Sequence, residues 1–204
     1  LQDPAKYPRP ATFAYAGAPA SDQAAGAAAA LTIQYLNTRE SDSAYARQCL
    51  ETAQALYRFA VRYRGTGNGD GFYPSSYDDD EMAWAAVWLY IATGTESYLT
   101  DIIGTDANGR YTGYLKKIIA GPQDTWQNIW VHSWDTVWGG VFAKLAPATE
   151  GVIPDQENQR YWYYFRWNLE YWSGGAVKHD DPNDTNFLEP SPGGFGVVST
   201  WGSA

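Results

Sequence analysis

Cysteine is almost missing from this chain. Among 204 residues only Cys49 occurs, which excludes an internal disulfide framework and any cysteine cage for zinc. On the apolar face of a helical pattern it reads as a small buried hydrophobe. Histidine is scarce too: His132 and His179 have no second ligand at metal-binding spacing, so each reads as an ordinary polar residue. No apolar run approaches the ~20 residues that cross a bilayer, so no membrane partner is expected. Residues 1–10 lack the basic and apolar segments of a secretory leader. Basic side chains are in the minority, 14 Lys and Arg against 23 Asp and Glu, a net charge of -9. Phosphate binding needs the opposite balance, so no nucleic-acid partner is expected. Glycine-rich phosphate loops, a Ser-His-Asp order and zinc helix motifs are absent as well, and no organic cofactor is expected.

What the chain does have is aromatic surface, with 10 Trp and 16 Tyr. Trp and Tyr present flat apolar faces with a polar edge, which suits ligands that are both greasy and hydroxylated, as sugars are. The hydrophobic share, 45%, is enough to bury a core. Both ends read as interior sequence, so the chain is expected to be an excised middle rather than a whole protein.

The periodicity is helical almost throughout. Ser21 is the expected cap of an Ala-rich helix over 22–36, with Ala24, Ala27, Ala28, Leu31 and Tyr35 on its packing face. A second helix starts near Ser43 and lasts until Gly65, where a glycine-rich loop must intervene. Asp79 or Asp80 caps a third helix over 81–93, ended by Gly94, and Thr95 opens a shorter fourth. After a turn at 106–109, a short helix is expected over 114–120. Asp135 is the next expected cap, and Pro154 precedes a long aromatic helix running to Trp172. From 176 to 198 loop residues dominate, with room for a short hairpin. Successive helices without convincing strands predict an all-α fold of helical hairpins stacked side by side; a compact helical bundle is the plainer alternative.

Three places could carry chemistry. The acidic run 78–81 follows a loop containing Ser76 and Tyr77. Clustered carboxylates repel unless a cation or a helix N-terminus compensates them, so calcium is one reading. A solvated acidic helix cap is the other, and pattern alone prefers it. Trp130, Trp134 and Asp135 form a second group, read either as a cap or as aromatics facing a cleft. The third is the aromatic run from Trp162 through Trp172, which covers more than one helix face and reads mainly as core. Asn183-Asp184-Thr185 matches a glycosylation sequon.

Ser21-Asp22-Gln23-Ala24-Ala25, with the alanines that follow, resembles the Ser-Asp-x-Ala-Ala stretch of family 9 glycoside hydrolases, the cellulases. Leu56-Tyr57-Arg58-Phe59-Ala60 is similar to their Leu-Tyr-x-Phe-Ala. The longest resemblance is Phe72-Tyr73 followed by Asp80-Glu81-Met82-Ala83-Trp84-Ala85-Ala86-Val87-Trp88-Leu89-Tyr90-Ile91-Ala92-Thr93-Gly94. Ser133-Trp134-Asp135, Pro192-Gly193-Gly194 and Trp201-Gly202-Ser203 follow in the family's order. One departure is Thr136, where relatives often carry a second acidic or amide residue.

The resemblance implies an (α/α)6 toroid, an inner and an outer ring of helices around an open cleft, of which this chain supplies roughly the middle half. It implies a secreted enzyme that hydrolyses β-1,4-glucan, that is cellulose and cellooligosaccharides, with inversion at the cleaved carbon. Carried over by motif, Phe72, Tyr73, Trp130 and Trp201 would line the sugar cleft. Asp80, Glu81 and Asp135, with oxygens of Ser76 and Tyr77, would hold a structural calcium ion. The family's water-activating aspartate motif and its general-acid glutamate motif match nothing between Leu1 and Ala204. The catalytic acid and base are therefore expected outside this chain, in the remainder of the domain. The alternative from another class is a non-catalytic carbohydrate-binding or scaffold module that kept the helical fold.

Overall fold

The computed structural model describes residues 12–67, 74–121, 135–173, 188–193 and 196–198. Six α-helices account for most of them: α1 (Ser21–Thr38), α2 (Ser43–Arg62), α3 (Asp79–Thr93), α4 (Glu96–Ile103), α5 (Trp138–Ala148) and α6 (Asp155–Ser173). A 3-10 turn covers Tyr114–Lys117, shorter than the helix expected there. The tail holds one antiparallel pair, β1 (Leu188–Pro190) and β2 (Gly196–Val198), with Leu188 opposite Val198. The described chain is thus helical apart from the short hairpin for which the loop-rich tail left room.

The helices alternate between two layers. Helix α1 packs on α3 and α3 on α5, while α2, α4 and α6 pack against α1, α3 and α5 respectively. Each even-numbered helix is the hairpin partner of the one before it. Composition explains the layering. Helix α3 has no polar stripe: Met82, Ala83, Ala85, Ala86, Val87 and Leu89 are fully buried, as a helix enclosed by neighbours must be. Helix α1 buries Ala24, Ala25, Ala28, Ala29 and Thr32, and these small residues let α2 and α3 approach closely. The packing face is rotated from the expected one, and Ala27 lies exposed. Helix α2 is amphipathic, burying Ala46, Cys49, Ala53, Tyr57 and Ala60 and leaving its charged side to solvent.

Between α5 and α6 the core is aromatic. The Phe142 ring lies 5.2 Å from Tyr164 and 6.0 Å from Tyr161, and Trp138 and Phe142 are fully buried. Tyr161 and Tyr164 face inward while Tyr163 is exposed, so among its described side chains the aromatic helix is core on one side only.

The helix ends correct several expectations. Gly94 closes α3 in the left-handed region at φ 67, which a side chain would resist. Ser21 is already inside α1, with Ala20 at the cap position, and its hydroxyl is used elsewhere. Asp78, not Asp79 or Asp80, precedes α3. Helix α5 begins at Trp138 after Val137, so Asp135 is too early to cap it. The cap arrives from another helix instead: the Asp80 carboxylate accepts the Val137 N–H at 2.7 Å.

Candidate functional site

The N-termini of α1, α3 and α5 meet at one end of the inner layer, and side-chain bonds tie them together. From α1, the Ser21 hydroxyl accepts the Gly65 N–H at 2.8 Å and donates to Asp78 at the head of α3. Arg64 donates from Nε to Asp78 Oδ2 at 2.6 Å and pairs with Asp79 at 3.2 Å. Asp22 accepts the Gly67 N–H at 2.8 Å and the Ser75 hydroxyl at 2.7 Å. Toward α5, Asp135 accepts both the Ser76 N–H at 2.8 Å and its hydroxyl at 2.6 Å. Asp80 joins α3 to Val137 as described above. Carboxylates gather here because each inner helix offers unsatisfied N–H groups and the positive end of its dipole.

Helix ends and Arg64 do not compensate all of this charge. Asp80 is fully buried, and its Oδ1 has no partner. Glu81 Oε2 and Thr136 Oγ1 are likewise buried without partners. Burial first, then the Asp80 charge beside it, push the Glu81 carboxyl up to about 9. Burial raises Asp80 in the same direction. Asp78 behaves oppositely: burial would raise it, but hydrogen bonds from Arg64 and Ser21 override that and hold it below the ordinary carboxylate value. A carboxylate left in this state is costly, and a hard cation would satisfy the two carboxylate oxygens, Asp80 Oδ1 and Glu81 Oε2. Among the described residues, no three His, Cys, Asp or Glu side chains gather as a metal-binding group. A cation here would therefore take two carboxylates and draw its remaining oxygens from hydroxyl and backbone groups.

Five of the nine residues singled out from the sequence fall in this region. Asp80 is its buried carboxylate, and Glu81 is half-buried with its Oε2 out of reach of solvent. Ser76 is exposed and held by Asp135. Tyr77 is half-buried, its hydroxyl accepting the Trp138 indole N–H at 3.2 Å and its ring facing the Lys117 amine at 4.6 Å. The solvated-cap reading of the acidic run is overturned for Asp78 and Asp80, which are buried. Asp135 is the link from α5's approach to Ser76 rather than a cap. Phe72, Tyr73, Trp130 and Trp201, together with His132 and His179, lie outside the described residues. Sequence reasoning assigned no role to Asp22, Arg64 or Ser75. One signal for Asp22 was available, since it is the sole acidic residue of α1, a helix that is otherwise mostly small and apolar.

Comparison with known proteins extends this picture. Endoglucanase A of Bacillus pumilus is 33% identical over 191 residues, which cover 91% of this chain and 26% of that protein. Endoglucanase B of Cellulomonas fimi is 32% identical over 208 residues, covering 96% of this chain and 17% of its own length. The crystal structure of the cellulase Cel9M of C. cellulolyticum superposes with a TM-score of 0.60 at 33% identity, over 84% of this chain and 36% of that one. The same cellulase has been solved in complex with cellobiose. The chain thus spans about a quarter or less of these curated relatives and about a third of the solved structure. Its alternating layers are an arc of the (α/α)6 barrel of these enzymes. The profile of Glycosyl hydrolase family 9 matches residues 2–204, so the chain belongs to that family of glycoside hydrolases.

Proposed function

We propose that this chain is the central part of a secreted cellulase domain that cleaves β-1,4-glucosidic bonds with inversion. The observation that carries the reading is the family match, which runs from residue 2 to residue 204. In an inverting hydrolase one carboxylic acid protonates the leaving oxygen while a carboxylate activates water on the opposite ring face. Neither group is assigned to this chain; both are placed in the remainder of the domain. The chain's own share is to shape the cleft. Phe72, Tyr73, Trp130 and Trp201 would offer aromatic faces to successive glucose units, whose axial C–H groups pack on such rings. Phe72 and Tyr73 precede α3 in the sequence, and Trp130 precedes α5.

The acidic pocket fits a structural calcium ion. Asp80 and Glu81 would supply carboxylate oxygens and Ser76 and Tyr77 backbone oxygens; Asp135, expected from the sequence as a third acidic ligand, has its carboxylate on Ser76 and would add a backbone carbonyl instead. The buried Asp80 Oδ1 and Glu81 Oε2, which no donor from the surrounding chain reaches, support this choice. When bound, the ion would neutralise the two acids and join the approaches to α3 and α5. Calcium takes oxygen ligands in flexible geometry, which suits a set drawn from two loops and one helix.

Inversion is tested by following cellopentaose cleavage with proton NMR in the complete catalytic domain. The first product signal should be the α-anomer, with the β-anomer appearing only by mutarotation. A β-anomer burst would overturn the inverting assignment. Binding of cellooligosaccharide without any cleavage would favour the non-catalytic module.

A further inference from the structure

Asp22 is buried at the start of α1, yet it does not cap its own helix. Its two oxygens go to different strands of chain: Gly67 N–H at 2.8 Å and the Ser75 hydroxyl at 2.7 Å. Ser75 is followed directly by Ser76, which Asp135 grips from the other side through both its N–H and its hydroxyl. Residues 75 and 76 are thereby stretched between α1 and the approach to α5. The Gly67 contact is tight: a Cβ there would lie 2.5 Å from Gln23 Nε2 and 3.3 Å from the Ala20 Cβ. Glycine lets this backbone come close enough for its N–H to reach Asp22. A carboxylate serving only the α1 dipole would not need either bond.

We infer that Asp22 is a positioning residue for the cation pocket: it fixes the segment from which Ser76 and Tyr77 present oxygens, without touching the ion itself. The inference rests on the calcium reading above. Outer residues that orient metal ligands typically change affinity by about 10- to 100-fold when removed. The experiment is calcium titration by calorimetry in the complete catalytic domain, at a temperature where every variant is folded by circular dichroism. Asp22→Ala should weaken calcium binding by about tenfold, at the lower end of that range. Ser75→Ala, which alters no charge and leaves α1 intact, should weaken it several-fold. Asp22→Asn, which keeps an acceptor for Gly67 N–H, should lie between wild type and Asp22→Ala. Wild-type affinity in both Asp22→Ala and Ser75→Ala would overturn the inference while leaving the calcium site standing. So would equal losses in Asp22→Asn and Asp22→Ala with Ser75→Ala unchanged, because the effect would then be bare charge. A wild-type domain that binds no calcium would instead sink the calcium reading and this inference with it.

Discussion

Replacing Glu81 by Gln should change the sign of its effect on stability with calcium. The Glu81 carboxyl is pushed from its ordinary 4.5 up to about 9, chiefly by burial and then by the Asp80 charge. Without a cation, the folded chain at pH 7 therefore holds a proton that the unfolded chain has released. This linkage costs roughly 3 kcal/mol at most, and the partial exposure of Glu81 reduces it to about 2 kcal/mol. Because the folded-state value is raised for an acid, the Glu81 contribution to ion-free stability is greatest below pH 4.5 and is lost as pH rises toward 9. Glutamine has nearly the shape of the protonated acid and no proton to exchange. In chelator at pH 7, Glu81→Gln should be about 2 kcal/mol more stable than wild type, with a flatter dependence on pH. In calcium the order should reverse: wild type gains about 2.7 kcal/mol at a hundred times the dissociation constant, while the variant lacks a ligand and gains little. Denaturant unfolding of the complete domain with and without calcium, from pH 5 to 9, measures all of this. A variant less stable than wild type in chelator at every pH, beside a wild type indifferent to calcium, would refute the reasoning.

Arg64→Ala should cost about 2 kcal/mol, because it leaves the buried Asp78 without its main partner. Asp78 sits below its ordinary 3.8, so its contribution is present above that pH and lost as pH falls through the lowered value. The variant should accordingly lose less stability on acidification than wild type does. Phe142→Ala, in the fully buried aromatic core, should cost about 4 kcal/mol by denaturant unfolding; a loss near zero would mean that α5 and α6 do not pack as described. Trp130→Ala should weaken cellooligosaccharide binding by about tenfold in a titration, the scale of one lost aromatic contact; unchanged affinity would move Trp130 to the core.

Much of the helical frame is legible in the sequence, because α3 ends at a glycine that suits the left-handed region and α2 keeps strict helical spacing. The misjudged helix starts share a cause. Ser21 and Asp135 have the right chemistry for local caps, but long-range partners use their side chains instead. Gly65 and Asp78 engage Ser21, and Ser76 engages Asp135. A local rule cannot see a cap such as Asp80 on Val137, which comes from a different helix. The burial of Asp78 and Asp80 was hidden for the same reason. Asp78 to Glu81 look like a solvated cap until the N-termini of α1, α3 and α5 are known to meet around them. Asp22 was passed over because nothing local demands an acid there. Its bonds to Gly67 and Ser75 exist only once the chain has folded back over α1. The family resemblance, by contrast, rested on ordered motifs and needed no structure.

The central claim is that this chain builds cleft and cation pocket while the acid and base come from elsewhere in the domain. The direct measurement is release of reducing ends from cellopentaose by the 204-residue chain alone and by the same chain joined to the remainder of its catalytic domain. The account predicts steady cleavage by the joined protein and none by the chain alone. Cleavage by the isolated chain would contradict it, since the catalytic carboxylates would then have to lie between Leu1 and Ala204.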